Sequence, residues 1–154
     1  EYRPSLVRIS AAGRVLERVL GILDAAISAA GARLHLGEMP MVMADEGHLA
    51  RIFQNLLENA LKYRGADAPE IHFEAHRAGD LWTFAVRDNG VGIDPGALER
   101  IFEPFSRLGG GDRPGGHGIG LSVCRQAVET MGGTIWAEHG DGGGTRVFFT
   151  LSAA

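Results

Sequence analysis

Three short segments of this chain hold residues able to do chemistry. In Gln54-Asn55-Leu56-Leu57-Glu58-Asn59-Ala60-Leu61-Lys62-Tyr63, the residues Asn55, Asn59 and Lys62 are spaced i, i+4, i+7 and share one face of a helix. Asparagine is a poor helix former because its side chain competes for backbone hydrogen bonds, so two in line ask for a reason. A carboxamide oxygen is a hard neutral ligand suited to Mg²⁺, which takes few protein oxygens and keeps most of its waters. Lys62, the only lysine in the chain, can meet a phosphate as a point charge. The second segment, Asp88-Asn89-Gly90-Val91-Gly92-Ile93-Asp94, follows an apolar run. Its glycines let backbone approach a flat ligand closely, and Asp88 can accept a hydrogen bond from an exocyclic amine. The third, Gly115-Gly116-His117-Gly118-Ile119-Gly120-Leu121, runs straight into a helical pattern. Glycines there expose amide N–H groups at the positive end of a helix dipole, which makes a phosphate cradle. Taken singly, the three also fit a solvated stripe, a turn and a flexible linker.

The elements that must position these residues can be read from periodicity. Ala11 to Ala30 repeats apolar residues at helical spacing and ends at Gly31. Arg33–Leu36 and Met41–Met43 read as short strands around a Gly37–Pro40 turn. Asp45 is a good N-cap for a helix over Glu46–Tyr63, whose apolar face runs from Leu49 through Leu61. Glu70–Ala75 and Leu81–Arg87 form a hairpin, and Asp94-Pro95 opens a short helix. Leu108–His117 has no periodicity. A third helix spans about Ile119–Met131, and Thr134–Glu138 with Thr145–Leu151 forms a last hairpin. This order predicts an α/β (α+β) domain. It is a two-layer sandwich whose mixed, mostly antiparallel sheet is covered on one face by about three helices.

Composition narrows the function classes. At 154 residues, 45% apolar and 22% charged, the chain has room for one soluble domain with a real core. A net charge of -4 with no basic run argues against nucleic acid as a partner. The single Cys124 excludes an internal disulfide and fits a reducing compartment. No apolar run approaches the roughly 20 residues needed to span a bilayer. The glycine-rich segments are neither a Walker loop, since Gly-Lys-Ser/Thr is missing, nor part of a βαβ dinucleotide unit. Because the chain opens on Glu1 rather than Met, it is expected to be an excised piece of a longer protein.

In their order and separation the three segments resemble the GHKL (Bergerat) ATP-binding fold. That fold is shared by histidine kinases, gyrase, Hsp90 chaperones and MutL proteins. The helix is similar to the family's N box, Asp88–Gly92 to its G1 box, and Gly116–Gly120 to its G2 box. Ile101-Phe102-Glu103-Pro104-Phe105 resembles the F box characteristic of histidine kinases, and Gly143-Gly144-Thr145-Arg146-Val147-Phe148 follows the kinase tail. The resemblance covers about Asp45–Leu151. It implies ATP and Mg²⁺ as cofactors, with Asn59 on the metal, Asn55 nearby, Lys62 on phosphate and Tyr63 against the nucleotide. It further implies Asp88 on the adenine amino group, with Gly90, Gly92 and Ile93 around the base and Thr145 supporting it through water. Gly116, His117, Gly118, Ile119, Gly120 and Leu121 would hold the phosphates. Phe102 and Phe105 would anchor the segment from about Pro95 to His117 as a lid. His117 departs from the family's usual Thr or Ser, and either touches phosphate or points to solvent.

The resemblance also separates kinase from ATPase. Gyrase-like members carry a water-activating glutamate one turn before the metal-binding asparagine, where this chain has Asn55, which cannot act as a base. Histidine kinases often carry an acid beside that asparagine that helps activate the accepting imidazole, here Glu58. The catalytic set implied is therefore Asn55, Glu58 and Lys62. None of the six histidines has the acid-then-base context of a phosphoacceptor. The expected organisation is a linker over residues 1–10 and a catalytic domain over 11–154. Its implied partners are the dimerisation/phosphoacceptor hairpin of the parent and, through the full-length kinase, a response regulator. A cytoplasmic location is implied, with any membrane anchor carried by the parent. Two other readings are a serine-directed kinase of the anti-sigma-factor type, which the F box argues against, and a pseudokinase docking module, which the complete boxes disfavour.

Overall fold

The computed structural model describes residues 6–93, 95–98, 100–103, 120–140 and 142–154. Along the chain run β1 (Arg8–Ala11), α1 (Ala12–Ile22), α2 (Asp24–Ala30), β2 (Arg33–Leu36), β3 (Met41–Ala44) and α3 (Glu46–Lys62). There follow β4 (Glu70–Ala78), β5 (Leu81–Asp88), 3-10 turns at Pro95–Ala97 and Arg100–Phe102, α4 (Gly120–Thr130), β6 (Ile135–His139) and β7 (Thr145–Ser152). Five strands make the main sheet in the order β2-β4-β5-β7-β6, antiparallel except for the parallel β2–β4 pair. This is the mixed, mostly antiparallel sheet expected from the sequence.

Alternation along the strands sends Ile71, Phe73, Phe84, Val86, Val147, Phe149 and Leu151 to one side, where all are buried. Phe53 of α3 meets that side edge-on, its ring 6.0–6.1 Å from those of Phe73, Phe84 and Phe149. α1 and α4 flank α3, contributing Val15, Leu16 and Val19 from one and Leu121, Cys124 and Val128 from the other. Asp45 caps α3 as its sequence position requires, its Oδ1 accepting from the His48 amide at 3.1 Å.

Two local expectations are corrected, and two strands that the sequence located take partners it did not specify. The Ala11–Ala30 helix is two helices that break at Leu23 (φ -98°, ψ 11°). Gly21 weakens the end of the first, and Asp24 favours the N-terminal turn of a second. Arg33–Leu36 and Met41–Ala44 do not pair across Gly37–Pro40. β2 joins β4 in parallel, while β3 pairs antiparallel with β1 in a separate two-stranded sheet. Residues 8–10, expected within a linker, are part of that sheet, with the buried Ser10 hydroxyl donating to the Ala44 carbonyl at 2.9 Å.

Candidate functional site

The first two segments singled out in the sequence, and Gly120 and Leu121 at the end of the third, converge at one end of the sheet. β5 and β7 are in register there, pairing Asp88 with Thr145 and Val86 with Val147. α3 supplies the opposite wall. Between them lies a small, partly open pocket. It is lined by Asn59 of α3 and Tyr63 at its C-terminal cap, Asp88 and Thr145 of the paired strands, Gly92 and Ile93 of the loop after β5, and Leu121 of α4. Leu56, Ala60, Val86, Ile101 and Val147 complete the apolar wall. Sequence reasoning did not assign these five to a site. Their signal, apolar residues at helical or strand spacing, is the one that also marks ordinary core.

Asp88 is the polar anchor. Burial pushes its carboxyl above the ordinary aspartate range, partly offset by the amides of Gly90 and Thr145 that donate to it. The Gly90 bond to Oδ1 is 2.8 Å long. Gly90 is glycine for a spatial reason, because a Cβ there would run into the Tyr63 carbonyl at the end of α3. The Val91 amide donates to that same carbonyl at 3.0 Å, which fastens the loop to the helix. Gly144, at φ +77°, sits so close to the Asp88 carbonyl that a Cβ would overlap it. The loop after β5 is thus held against both α3 and the last hairpin by backbone packing that no side chain could enter. Asn89 braces the other flank, accepting from the Glu70 amide at 2.8 Å and donating to the Ala68 carbonyl at 3.1 Å.

The remaining expected residues divide. A Cβ on Gly120, the first residue of α4, would lie 3.9 Å from both Asn59 side-chain atoms, so that carboxamide faces the N-terminal turn of α4. Asn55 does not line the pocket; its side chain reaches the buried Cys124 thiol, which burial pushes up to about 12. Glu58 is half-buried and Lys62 exposed, each next in sequence to a pocket residue, Asn59 and Tyr63, but neither lines the pocket. Phe102 is buried beside α4, whereas its neighbour Ile101 faces the pocket. Phe105, Gly116, His117, Gly118 and Ile119 lie outside the described residues, as does most of the expected lid. Among the described residues no helix is long and apolar enough to cross a membrane.

Residues 44–154 match the family described as histidine kinase-, DNA gyrase B-, and HSP90-like ATPases. The chain belongs to that family. It is 43% identical over 138 residues to cyanobacterial phytochrome A of Nostoc sp. (strain PCC 7120), a match covering 90% of this chain and 18% of that protein. The chain thus spans less than a fifth of that relative. The mycobacterial sensor histidine kinase MprB superposes with a TM-score of 0.83 at 22% identity, covering 94% of this chain and 97% of the other. Full-length ShkA in complex with AMPPNP gives 0.82 at 24% identity, covering 100% and 33%. Both superpositions agree with the α/β layering of this fold. The pocket thus lies where α3, the loop after β5 and the final hairpin meet.

Proposed function

We propose that this domain binds Mg-ATP in the pocket between α3 and the β5–β7 end. It transfers the γ-phosphoryl group to a histidine on the dimerisation domain of its parent sensor kinase, in two-component signalling. The observation that carries the reading is Asp88, a desolvated carboxylate on the wall of an apolar slot beside Gly92. Such a slot suits a flat base with an exocyclic amine. Asn59, facing the first turn of α4, supports a phosphate end on the other side, where a helix N-terminus favours anions.

A hard carboxamide oxygen beside that anion site fits Mg²⁺, which would bind Asn59 and phosphate oxygens and neutralise charge on the transferred group. Lys62 adds a cation on the same helix. The base is held by Asp88, Gly90, Gly92, Ile93, Tyr63 and Thr145, and the phosphates by Gly116, His117, Gly118, Ile119, Gly120 and Leu121. Phe102 and Phe105 anchor the covering segment. Glu58 helps activate the accepting imidazole. Asn55 supplies no base toward water, so ATP is conserved for transfer. The hairpin, and through it a response regulator, are the partners, in the cytoplasm.

Phosphoryl transfer depends mainly on positioning the nucleophile in line with the γ-phosphate. The chain alone is therefore expected to bind ATP, hydrolyse it barely and incorporate no acid-labile phosphate from labelled ATP. Adding the cognate hairpin should restore label on the hairpin alone. Phosphohistidine on the isolated chain, or phosphoserine on a partner, would overturn the proposal.

A further inference from the structure

The sheet face opposite α3 carries a second cluster, on the other side of the sheet from the pocket. Strand β4 reads Glu70-Ile71-His72-Phe73-Glu74-Ala75-His76. Its apolar members turn to the core, and its four polar ones share the open face. The parallel register places His35 of β2 directly beside His72. Their rings stack 4.1 Å apart at 11°, and His35 Nε2 lies 3.1 Å from Glu70 Oε1. One ligand atom from each of His35, Glu70 and His72 falls within 4.8 Å of the other two. Half of the histidines in this chain, His35, His72 and His76, thus lie on one sheet face with two glutamates.

We propose that His35, Glu70 and His72 form a Zn²⁺ site that ties the edge strand β2 to β4. Two imidazoles and a carboxylate are the donor set of open zinc centres, with water at the fourth position. Ligands 2.0–2.2 Å from a tetrahedral ion lie about 3.4 Å apart. The His35–Glu70 separation of 3.1 Å already meets that spacing, and rotation of the half-exposed His72 ring closes the rest. The rival at this site is Arg87, whose Nη2 lies 3.4 Å from His72 Nδ1 and 3.5 Å from Glu74 Oε1. A guanidinium can only donate, so in the metal-free protein Nδ1 is its acceptor. Zinc binding takes that lone pair and leaves Arg87 to Glu74.

Calorimetric titration of ZnCl₂ into the nucleotide-free chain, with excess Mg²⁺ present, tests this. One site is expected, together with a rise in Tm as zinc binds the folded state. His35→Gln and His72→Gln should each weaken it by roughly tenfold or more, since even partners of metal ligands are worth that much. Glu70→Gln should also weaken it, Arg87→Ala should tighten it, and His139→Ala should leave it unchanged. Circular dichroism identical to wild type confirms that each variant is folded. Zinc affinity unmoved by His35→Gln and His72→Gln, or reduced equally by His139→Ala, would mean scattered surface histidines and overturn the site. ATP binding is outside this readout, so the two proposals fail separately.

Discussion

Replacing Asp88 by asparagine removes charge from the pocket while keeping an oxygen for the amides that hold the loop. In the wild type two backbone amides, from Gly90 and Thr145, use part of the carboxylate's roughly four acceptor positions. The others are available to an amine in the slot. Adenine offers an amine there, whereas guanine offers a carbonyl oxygen. A hydrogen bond to a charged group contributes about 1.5–3 kcal/mol, against about 0.5–1.5 for a neutral one. With its oxygen held by the loop amides, Asp88→Asn turns an NH₂ toward the amine and should lose that hydrogen bond, about 1.5–3 kcal/mol or roughly 10- to 150-fold in ATP affinity. Asp88→Ala should cost the full term, about 10- to 150-fold. The asparagine amide can also donate to guanine, so the preference for ATP over GTP should narrow. Calorimetry with both nucleotides, on wild type and Asp88→Asn, measures each quantity. Equal binding of ATP and GTP by the wild type would refute the reasoning at its first step.

The same carboxyl makes a prediction about stability. Its folded-state value lies above the unfolded one, so the protonated form is favoured in the fold. Its contribution is thus greatest below the unfolded value and is lost as pH rises through the folded one. Asp88→Asn should gain on wild type over that rise, as read by urea denaturation at each pH. A gap that widens toward acid would contradict the assigned cause.

Asn59→Ala should abolish most of the Mg²⁺-dependent gain in ATP affinity with the fold intact; an unchanged Mg²⁺ response in calorimetry would place the metal elsewhere. Gly144→Ala should lose about 2 kcal/mol or more, because its positive φ costs about 1–2 and the added carbon meets the Asp88 carbonyl. Gly142→Ala, at φ +76° but in open space, should lose only the strain, so equal losses in denaturation would remove the packing argument. Asp45→Ala should lose about 1 kcal/mol as an N-cap. Burial acts to raise the Asp45 carboxyl, but amides of Leu6, His48 and Gly47 and the charge of His48 hold it below the ordinary range. The difference from wild type should be full above the unfolded aspartate value and close as pH falls through the folded one.

What was legible in the sequence was local. α3 could be bounded because Asp45 caps it and its apolar face repeats without interruption to Leu61. Both hairpins could be found because short turns join strands that pair with their sequence neighbours. The β1–β3 sheet and the parallel β2–β4 pair were not legible. Each involves four-residue strands whose partners lie tens of residues away, and nothing in RLHL or MVMA states a partner. The site followed the same division. Asn59 and Asp88 were visible because polar residues beside apolar runs need a reason, whereas Thr145 came only from the resemblance of its segment to the kinase tail. Val86, Val147, Leu56 and Ala60 were invisible because a pocket wall and a core wall ask for the same side chains.

That division explains why the glycines carry so much of the site. A pocket at the end of a sheet exists only if the loops leaving it are kept from collapsing inward or drifting away. Gly90 lies against the last carbonyl of α3 and Gly144 against the Asp88 carbonyl, so three elements distant in sequence are in backbone contact around one carboxylate. Contact at that distance fixes where Asp88 points more tightly than side-chain packing could, because no rotamer intervenes. The glycine-rich turn of the final hairpin is therefore part of the framework that holds Asp88 at the pocket, although none of its glycines need touch a ligand. The affinity lost in Gly144→Ala should accordingly appear with Asp88 present and be much smaller in an Asp88→Ala background, a coupling that a double-mutant cycle measures. Strictly additive losses would show that the hairpin supports the fold without orienting the carboxylate.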